Sequence, residues 1–143
     1  MKKYLPFAPA VAWGIFIFIL STLPGKDLPK FDWGDLFSVD KLVHLIFYAT
    51  LTWLILFGKQ RLERQNAENH ALGRHGAEGS VSVKFIVGVA VFSAAYGWFL
   101  EFYQEYFCQD RLFEILDGVA NTMGAALAAA FFFWRQWRRR VKF

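Results

Sequence analysis

The sequence predicts an all-α fold, a polytopic bundle of four transmembrane helices with both termini cytoplasmic, on three observations. Of the 143 residues, 56% are hydrophobic. They come in four blocks, about Pro6 to Leu23, Lys41 to Phe57, Lys84 to Tyr103 and Leu112 to Trp134. Each block is close to the ~20 residues that cross a ~30 Å hydrocarbon core at ~1.5 Å per residue. No ten-residue alternation of polar and apolar positions occurs, and an open sheet leaves its edges unsatisfied in lipid, so strands are not expected. Finally, most of the 16 lysines and arginines fall at the N-terminus (Lys2, Lys3), in the middle connection and in the tail after Trp134. Cytoplasmic segments carry that excess, which places both termini and residues 58–83 inside. Residues 1–143 read as a single domain.

The first block follows Lys2-Lys3 and so resembles a secretory signal, but no A-x-A-like cleavage site follows it. Ser21-Thr22-Leu23-Pro24 reads instead as a helix end, because the residue before a proline is pushed out of the helical region. Residues 25–39, with Phe31-Asp-Trp33 and Leu36-Phe37, are expected to lie along the outer interface, where aromatic rings favour the headgroup level. The second block carries Lys41, His44 and Tyr48 at spacings of three and four, on one helix face. After it, Gln60 to Ser82, with Gly73, Gly76 and Gly79 among many charges, reads as a hydrophilic cytoplasmic connection. His70 and His75 within it lack a closely spaced second ligand pair and read as solvated. The third block places Gly97, Glu101, Gln104 and Cys108 at four, three and four. The fourth places Glu114, Asp117, Asn121 and Gly124 at three, four and three, beside the small residues Gly118, Ala120, Ala125 and Ala128 that permit close helix approach. Arg138-Arg-Arg140, directly after Phe131-Phe-Phe-Trp134, reads as a stop-transfer anchor at an anionic leaflet, so nucleic-acid binding is not expected.

Asp117 and Asn121 sit inside an otherwise apolar run. An ionisable group in a span costs roughly 2.5 kcal/mol or more and normally faces the protein interior, where it marks a functional site. Asp117 lies about five residues, roughly 7 Å, into its block, and Asn121 about one turn deeper. His44 is at a similar depth, and Glu101 enters from the same side. The polar stripes are therefore expected to meet in the outer third of the membrane, in a cavity holding His44, Glu101 and Asp117.

These blocks also carry a resemblance. Ser21-x-x-Pro24, Asp40-Lys41-x-x-His44-x-x-x-Tyr48, Glu101-x-x-Gln104 and Arg111-x-x-Glu114-x-x-Asp117-x-x-x-Asn121-x-x-Gly124 resemble, in order and spacing, the VanZ-like family of small bacterial integral membrane proteins. The likeness covers about Ser21 to Ala128, with Leu112 standing where a small hydroxyl residue is frequent and Ala128 where a glycine is. It implies a multi-pass protein of the bacterial cytoplasmic membrane and a link to low-level resistance against the glycopeptide teicoplanin. It brings no settled reaction. The motif positions it marks are Lys41, His44, Tyr48, Glu101, Gln104, Arg111, Asp117, Asn121 and Gly124.

Two classes of function follow. In the first, the outer cavity binds or modifies an anionic cell-envelope ligand or lipid headgroup. His44, Glu101 and Asp117 form its catalytic centre, and Lys41, Tyr48, Gln104, Arg111, Glu114 and Asn121 bind the ligand. A base beside an orienting carboxylate is what general acid–base catalysis requires, and a guanidinium fork such as Arg111 suits phosphate or carboxylate. The hydroxyls on that side lack a G-x-S-x-G turn, so no nucleophile is assigned. One imidazole with two or three carboxylates suits a divalent cation, yet the spacing is not diagnostic, and neither a metal nor another cofactor is assigned. In the second class the protein is a non-catalytic scaffold or partner-modulating factor whose polar cluster only joins helices, since interhelical hydrogen bonds average about 0.6 kcal/mol. An ion channel is disfavoured, because the Ala-rich segment and Phe131-Phe-Phe133 leave no polar path to the cytoplasmic side. Single Cys108 rules out an internal disulfide.

Overall fold

The computed structural model of the protein describes residues 2–23, 39–70, 79–108 and 113–141. A 3-10 turn at Lys2–Phe7 leads into α1, Ala8–Thr22, followed by α2, Val39–His70, α3, Val83–Phe107, and α4, Ile115–Val141. No strand occurs among the described residues. Among the described residues, four helices are long and apolar enough to cross a membrane. The protein is a multi-pass, four-helix membrane bundle.

Local chemistry sets the helix ends. A proline in the first turn suits the start of α1, because it lacks the N–H that has no partner there. Leu23 is extended (φ −69°, ψ 139°), as expected for a residue preceding a proline. Ser82 caps α3, its hydroxyl accepting from the Phe85 N–H at 3.3 Å.

α2 and α4 differ from the expected boundaries. The hydrophilic connection expected over 58–83 begins as helix: α2 continues without a break to His70, and at ~1.5 Å per residue its 32 residues span about 48 Å. Lys59 to Glu68 contains no glycine or proline, and Lys59 pairs with Glu63 one turn on. The charges there mark where the helix outgrows an apolar layer, not where it stops. Likewise α4 runs past Trp134 through the arginines to Val141, and Arg138 covers the Trp134 ring at 4.9 Å. Of the expected interfacial segment 25–39, residues 25–38 lie outside the described residues, as do His75 and Arg111, and Val39 opens α2.

The bundle is built inside out relative to a water-soluble one. Val87, Val91, Phe92, Phe99, Met123, Leu127 and Phe131 are exposed, whereas Glu101, Gln104, Asp117, Asn121 and Gln136 are buried. That inversion is the arrangement a lipid solvent selects. The buried stripe of α4 includes Gly118, Ala120, Asn121, Gly124, Ala125 and Ala128, and it brings α4 against α2. At Gly124 an added Cβ would collide with the Leu45 carbonyl oxygen and lie 3.1 Å from the Ala49 nitrogen, so the two backbones touch through the missing side chain. Below this contact Leu56, Val81, Ile86, Val89, Ala129 and Phe132 form one apolar cluster, and Ile17, Tyr48, Leu51 and Leu100 form another. α1 is the least buried helix. Two hydrogen bonds dock it: Trp13 Nε1 donates to the Phe47 carbonyl at 3.0 Å and the Tyr96 hydroxyl to the Gly14 carbonyl at 2.9 Å.

The two ends of the bundle differ in charge. Lys59, Arg61, Arg64, Lys84, Arg135, Arg138, Arg139 and Arg140 belong to one end, where Arg135 donates to Gln60 at 3.1 Å and Arg140 to Ser80. Gln136 there grips the chain entering α3, accepting from the Val81 N–H at 2.8 Å and donating to its carbonyl at 2.9 Å. Asp40, Glu101, Glu105, Glu114 and Asp117 lie toward the other end, where α2 and α4 begin and α3 finishes.

Candidate functional site

At the acidic end, three helices deliver polar side chains to one imidazole. His44 is in the second turn of α2, Glu101 in the penultimate turns of α3, and Asp117 in the first turn of α4. Because α4 begins at Ile115, Asp117 is nearer its helix end than a start at Leu112 implied. A carboxylate in the first turn faces the positive end of the helix dipole, which is worth about 0.3–1 kcal/mol.

The geometry is two-sided. His44 Nδ1 is 3.0 Å from Asn121 Oδ1 and 3.5 Å from Glu101 Oε1. His44 Nε2 is 3.9 Å from Asp117 Oδ2 and 3.9 Å from Asp40 Oδ1, the latter one turn earlier on the same helix. Lys41 joins the cluster, its ammonium 3.2 Å from Glu114 Oε2 and 3.5 Å from Asp117 Oδ1. Since Asn121 and Glu101 both present oxygens to Nδ1, the proton belongs on that nitrogen, and Nε2 turns toward the two aspartates. Glu101, Asp117 and Asn121 are 2%, 4% and 0% exposed, so these are buried groups in low dielectric rather than a solvated charged face.

Small residues make the site possible. A Cβ at Gly97 would stand 2.7 Å from the Asn121 Cβ and 2.8 Å from its Nδ2. Without that gap α3 could not approach closely enough for Glu101 and Asn121 to share Nδ1. Asn121 Nδ2 and Asp117 Oδ1 are buried without a hydrogen-bond partner. The Lys41 ammonium stands 3.5 Å from that Asp117 oxygen, and polar atoms left without a hydrogen bond in a buried cluster call for an explanation, of which a bound group is one.

Of the residues singled out from sequence, His44, Glu101, Asp117, Lys41, Glu114 and Asn121 converge here. Tyr48 does not. It is buried in the apolar cluster with Ile17, Leu51 and Leu100, its ring 6.3 Å from that of Tyr96. Gln104 is buried in α3, but none of the contacts just described reaches it. Cys108 sits at the end of α3, its thiol 3.7 Å from the Ser21 carbonyl. Arg111 lies outside the described residues. Sequence reasoning missed Asp40 as a site member. Its i,i+4 relation to His44 was the available signal.

Comparison with known protein families, with characterised proteins and with solved structures finds no match to this chain.

Proposed function

We propose that this is a VanZ-like protein of the bacterial cytoplasmic membrane, with both termini inside, that binds or modifies an anionic cell-envelope ligand or lipid headgroup at its outward-facing polar cluster. The observation carrying the proposal is the half-buried imidazole set among polar groups, Asn121 and Glu101 at Nδ1, Asp40 and Asp117 facing Nε2 at 3.9 Å. Interhelical hydrogen bonds in membranes average only about 0.6 kcal/mol each, so packing alone does not call for a polar cluster this dense. A histidine with one nitrogen oriented and the other turned to the mouth of the site is instead the arrangement of a proton-transfer group.

The residues take roles by position. His44 is the proton-transfer group, Glu101 and Asn121 hold its ring, and Asp117 is the second carboxylate. Lys41 supplies the ammonium for an anion, and its exposed partner Glu114, with 54% of its side-chain surface accessible, is the group a ligand displaces. The segregation of basic residues to one end supports placing the cluster on the outer side. A link to glycopeptide resistance is what the resemblance to VanZ-like proteins implies.

The test is an envelope phenotype. Cells expressing the protein are scored for teicoplanin sensitivity beside cells expressing His44→Ala or His44→Gln, with thermal melting of each purified protein as the folding control. The proposal expects protection lost in both variants while the fold survives. Full protection by folded His44→Ala sinks it and leaves the cluster as a scaffold.

A further inference from the structure

The charge balance of the cluster raises a difficulty for any anionic ligand. Asp40, Glu101, Glu114 and Asp117 surround Lys41 and one imidazole, and the Lys41 ammonium is already between Glu114 and Asp117. Carboxylates facing a phosphate or another carboxylate repel it, most strongly where water is excluded. The geometry points to a solution: Asp40, His44 and Asp117 form a binding site for a divalent transition-metal cation of the Mn2+ or Zn2+ type. The inference rests on the ligand-binding function proposed above and deepens it, since such an ion would join the protein's carboxylates to the ligand's anionic group; with the ion bound, His44 Nε2 is a ligand and transfers no proton.

Four observations converge on this site. His44 Nε2, with its lone pair free because Nδ1 carries the proton, faces Asp117 Oδ2 and Asp40 Oδ1 at 3.9 Å each. That distance is too long for a hydrogen bond, and three electron-rich atoms converge on one point. One donor atom from each of Asp40, His44 and Asp117 lies within 4.8 Å of the others. A point equidistant from three atoms so spaced is about 2.3–2.5 Å from each, a few tenths of an ångström from transition-metal bonds to nitrogen and oxygen. Next, the far side of the ring is fixed as metal-bound histidines are fixed, the Nδ1–H directed to the Asn121 carbonyl oxygen and the Glu101 carboxylate. Lastly, Asp117 is 4% exposed, and its Oδ1 meets the Lys41 ammonium at 3.5 Å without a hydrogen bond. That one ammonium is shared with Glu114, which leaves the four carboxylates around His44 short of positive charge, and a divalent cation supplies it.

The donor set selects among cations. One imidazole nitrogen with two carboxylates suits Zn2+ or Mn2+, whereas Mg2+ and Ca2+ favour oxygen-only shells. Three protein donors leave coordination positions open, and Asp40, with 56% of its side-chain surface accessible, marks the open side. A ligand oxygen entering there would complete the shell, as in sites that polarise a bound group.

The full-length chain, purified in an uncharged detergent and stripped with chelator, is titrated with MnCl2 while free Mn2+ is followed by electron paramagnetic resonance, with ZnCl2 as competitor. The expected result is one ion per chain, displaced by Zn2+ and not by equimolar Mg2+. Asp40→Asn, whose side chain is half exposed, should melt like the wild type without metal and bind Mn2+ at least tenfold more weakly. Asp117→Asn should behave likewise. No stoichiometric uptake by the folded wild type, or unchanged uptake in both folded variants, overturns the inference. No anionic lipid or glycopeptide is present, so the two proposals fail separately. Metal uptake with no effect of His44→Ala on protection leaves the metal site standing and removes the proposed function. Protection that depends on His44 in a protein that takes up no metal does the reverse.

Discussion

Gly124→Ala isolates the α2–α4 contact on which the site depends. The new methyl would run into the Leu45 carbonyl oxygen, with the Leu45 carbonyl carbon at 3.0 Å and the Ala49 nitrogen at 3.1 Å. All three are backbone atoms, so no rotamer change can relieve the clash and the helices must move apart. Overpacking of this kind costs about 1–3 kcal/mol. Separation also stretches the Lys41–Asp117 and His44–Asn121 contacts, and two interhelical polar contacts at ~0.6 kcal/mol each add about 1 kcal/mol. Against this, alanine gains about 0.8–1 kcal/mol of helix propensity over glycine. The net expectation is a loss of about 1–3 kcal/mol, which at ~2–4 °C per kcal/mol is a fall of several degrees in Tm. Gly88→Ala is the matched control. A Cβ at Gly88 meets nothing within 4 Å, so that variant keeps the propensity gain and melts at or slightly above the wild type. Intrinsic fluorescence of the six tryptophans, followed through a thermal ramp in detergent, reads both. If Gly124→Ala melts with Gly88→Ala, the backbone contact between α2 and α4 is wrong, and with it the geometry that brings His44 to Asn121.

Three further expectations follow. Gly97→Ala should displace Asn121, whose Cβ would be 2.7 Å away, and should lower teicoplanin protection more than stability; protection equal to the wild type would contradict the seat assigned to Asn121. Gln136→Leu strands the buried Val81 N–H and carbonyl, at a cost of about 1–3 kcal/mol, and should speed hydrogen exchange at Val81 and the first turn of α3; unchanged exchange there would show that the glutamine does not hold this entry. With Cys108 replaced by serine, a cysteine at exposed Tyr106 should react with an impermeant maleimide on intact cells, while one at Glu68 should react only after permeabilisation; the opposite pattern reverses the orientation taken from the basic residues.

Much of the fold was legible because lipid imposes strict rules. Helix number, the small-residue stripe of α4 and the burial of Glu101, Asp117 and Asn121 all follow from which residues can face hydrocarbon. Three-and-four spacing correctly gathered His44, Glu101 and Asp117, because groups near matching helix ends lie at matching depth. The same spacing also gathered Tyr48, which the structure places in the apolar core. A helix face persists along the whole element, so residues on the stripe but one turn deeper enter the apolar core, as Tyr48 does with Leu51 and Leu100. Asp40 was overlooked for the converse reason. It stands at the start of α2, where a charge reads as loop, although helical backbone already carries it to the same imidazole. The charged half of α2 shows the general limit: hydropathy reports where a helix leaves lipid, and only backbone propensity and i,i+4 pairing report where it ends.

Asp117→Asn tests most directly whether the cluster acts or merely holds the bundle. Asparagine keeps the shape and most of the hydrogen bonding of aspartate but removes its charge. A scaffold would tolerate it within about 1 kcal/mol and keep its function. Teicoplanin protection by Asp117→Asn, scored beside its melting temperature, should be lost while the Tm stays within a few degrees of the wild type. Full protection from the folded variant would contradict the account.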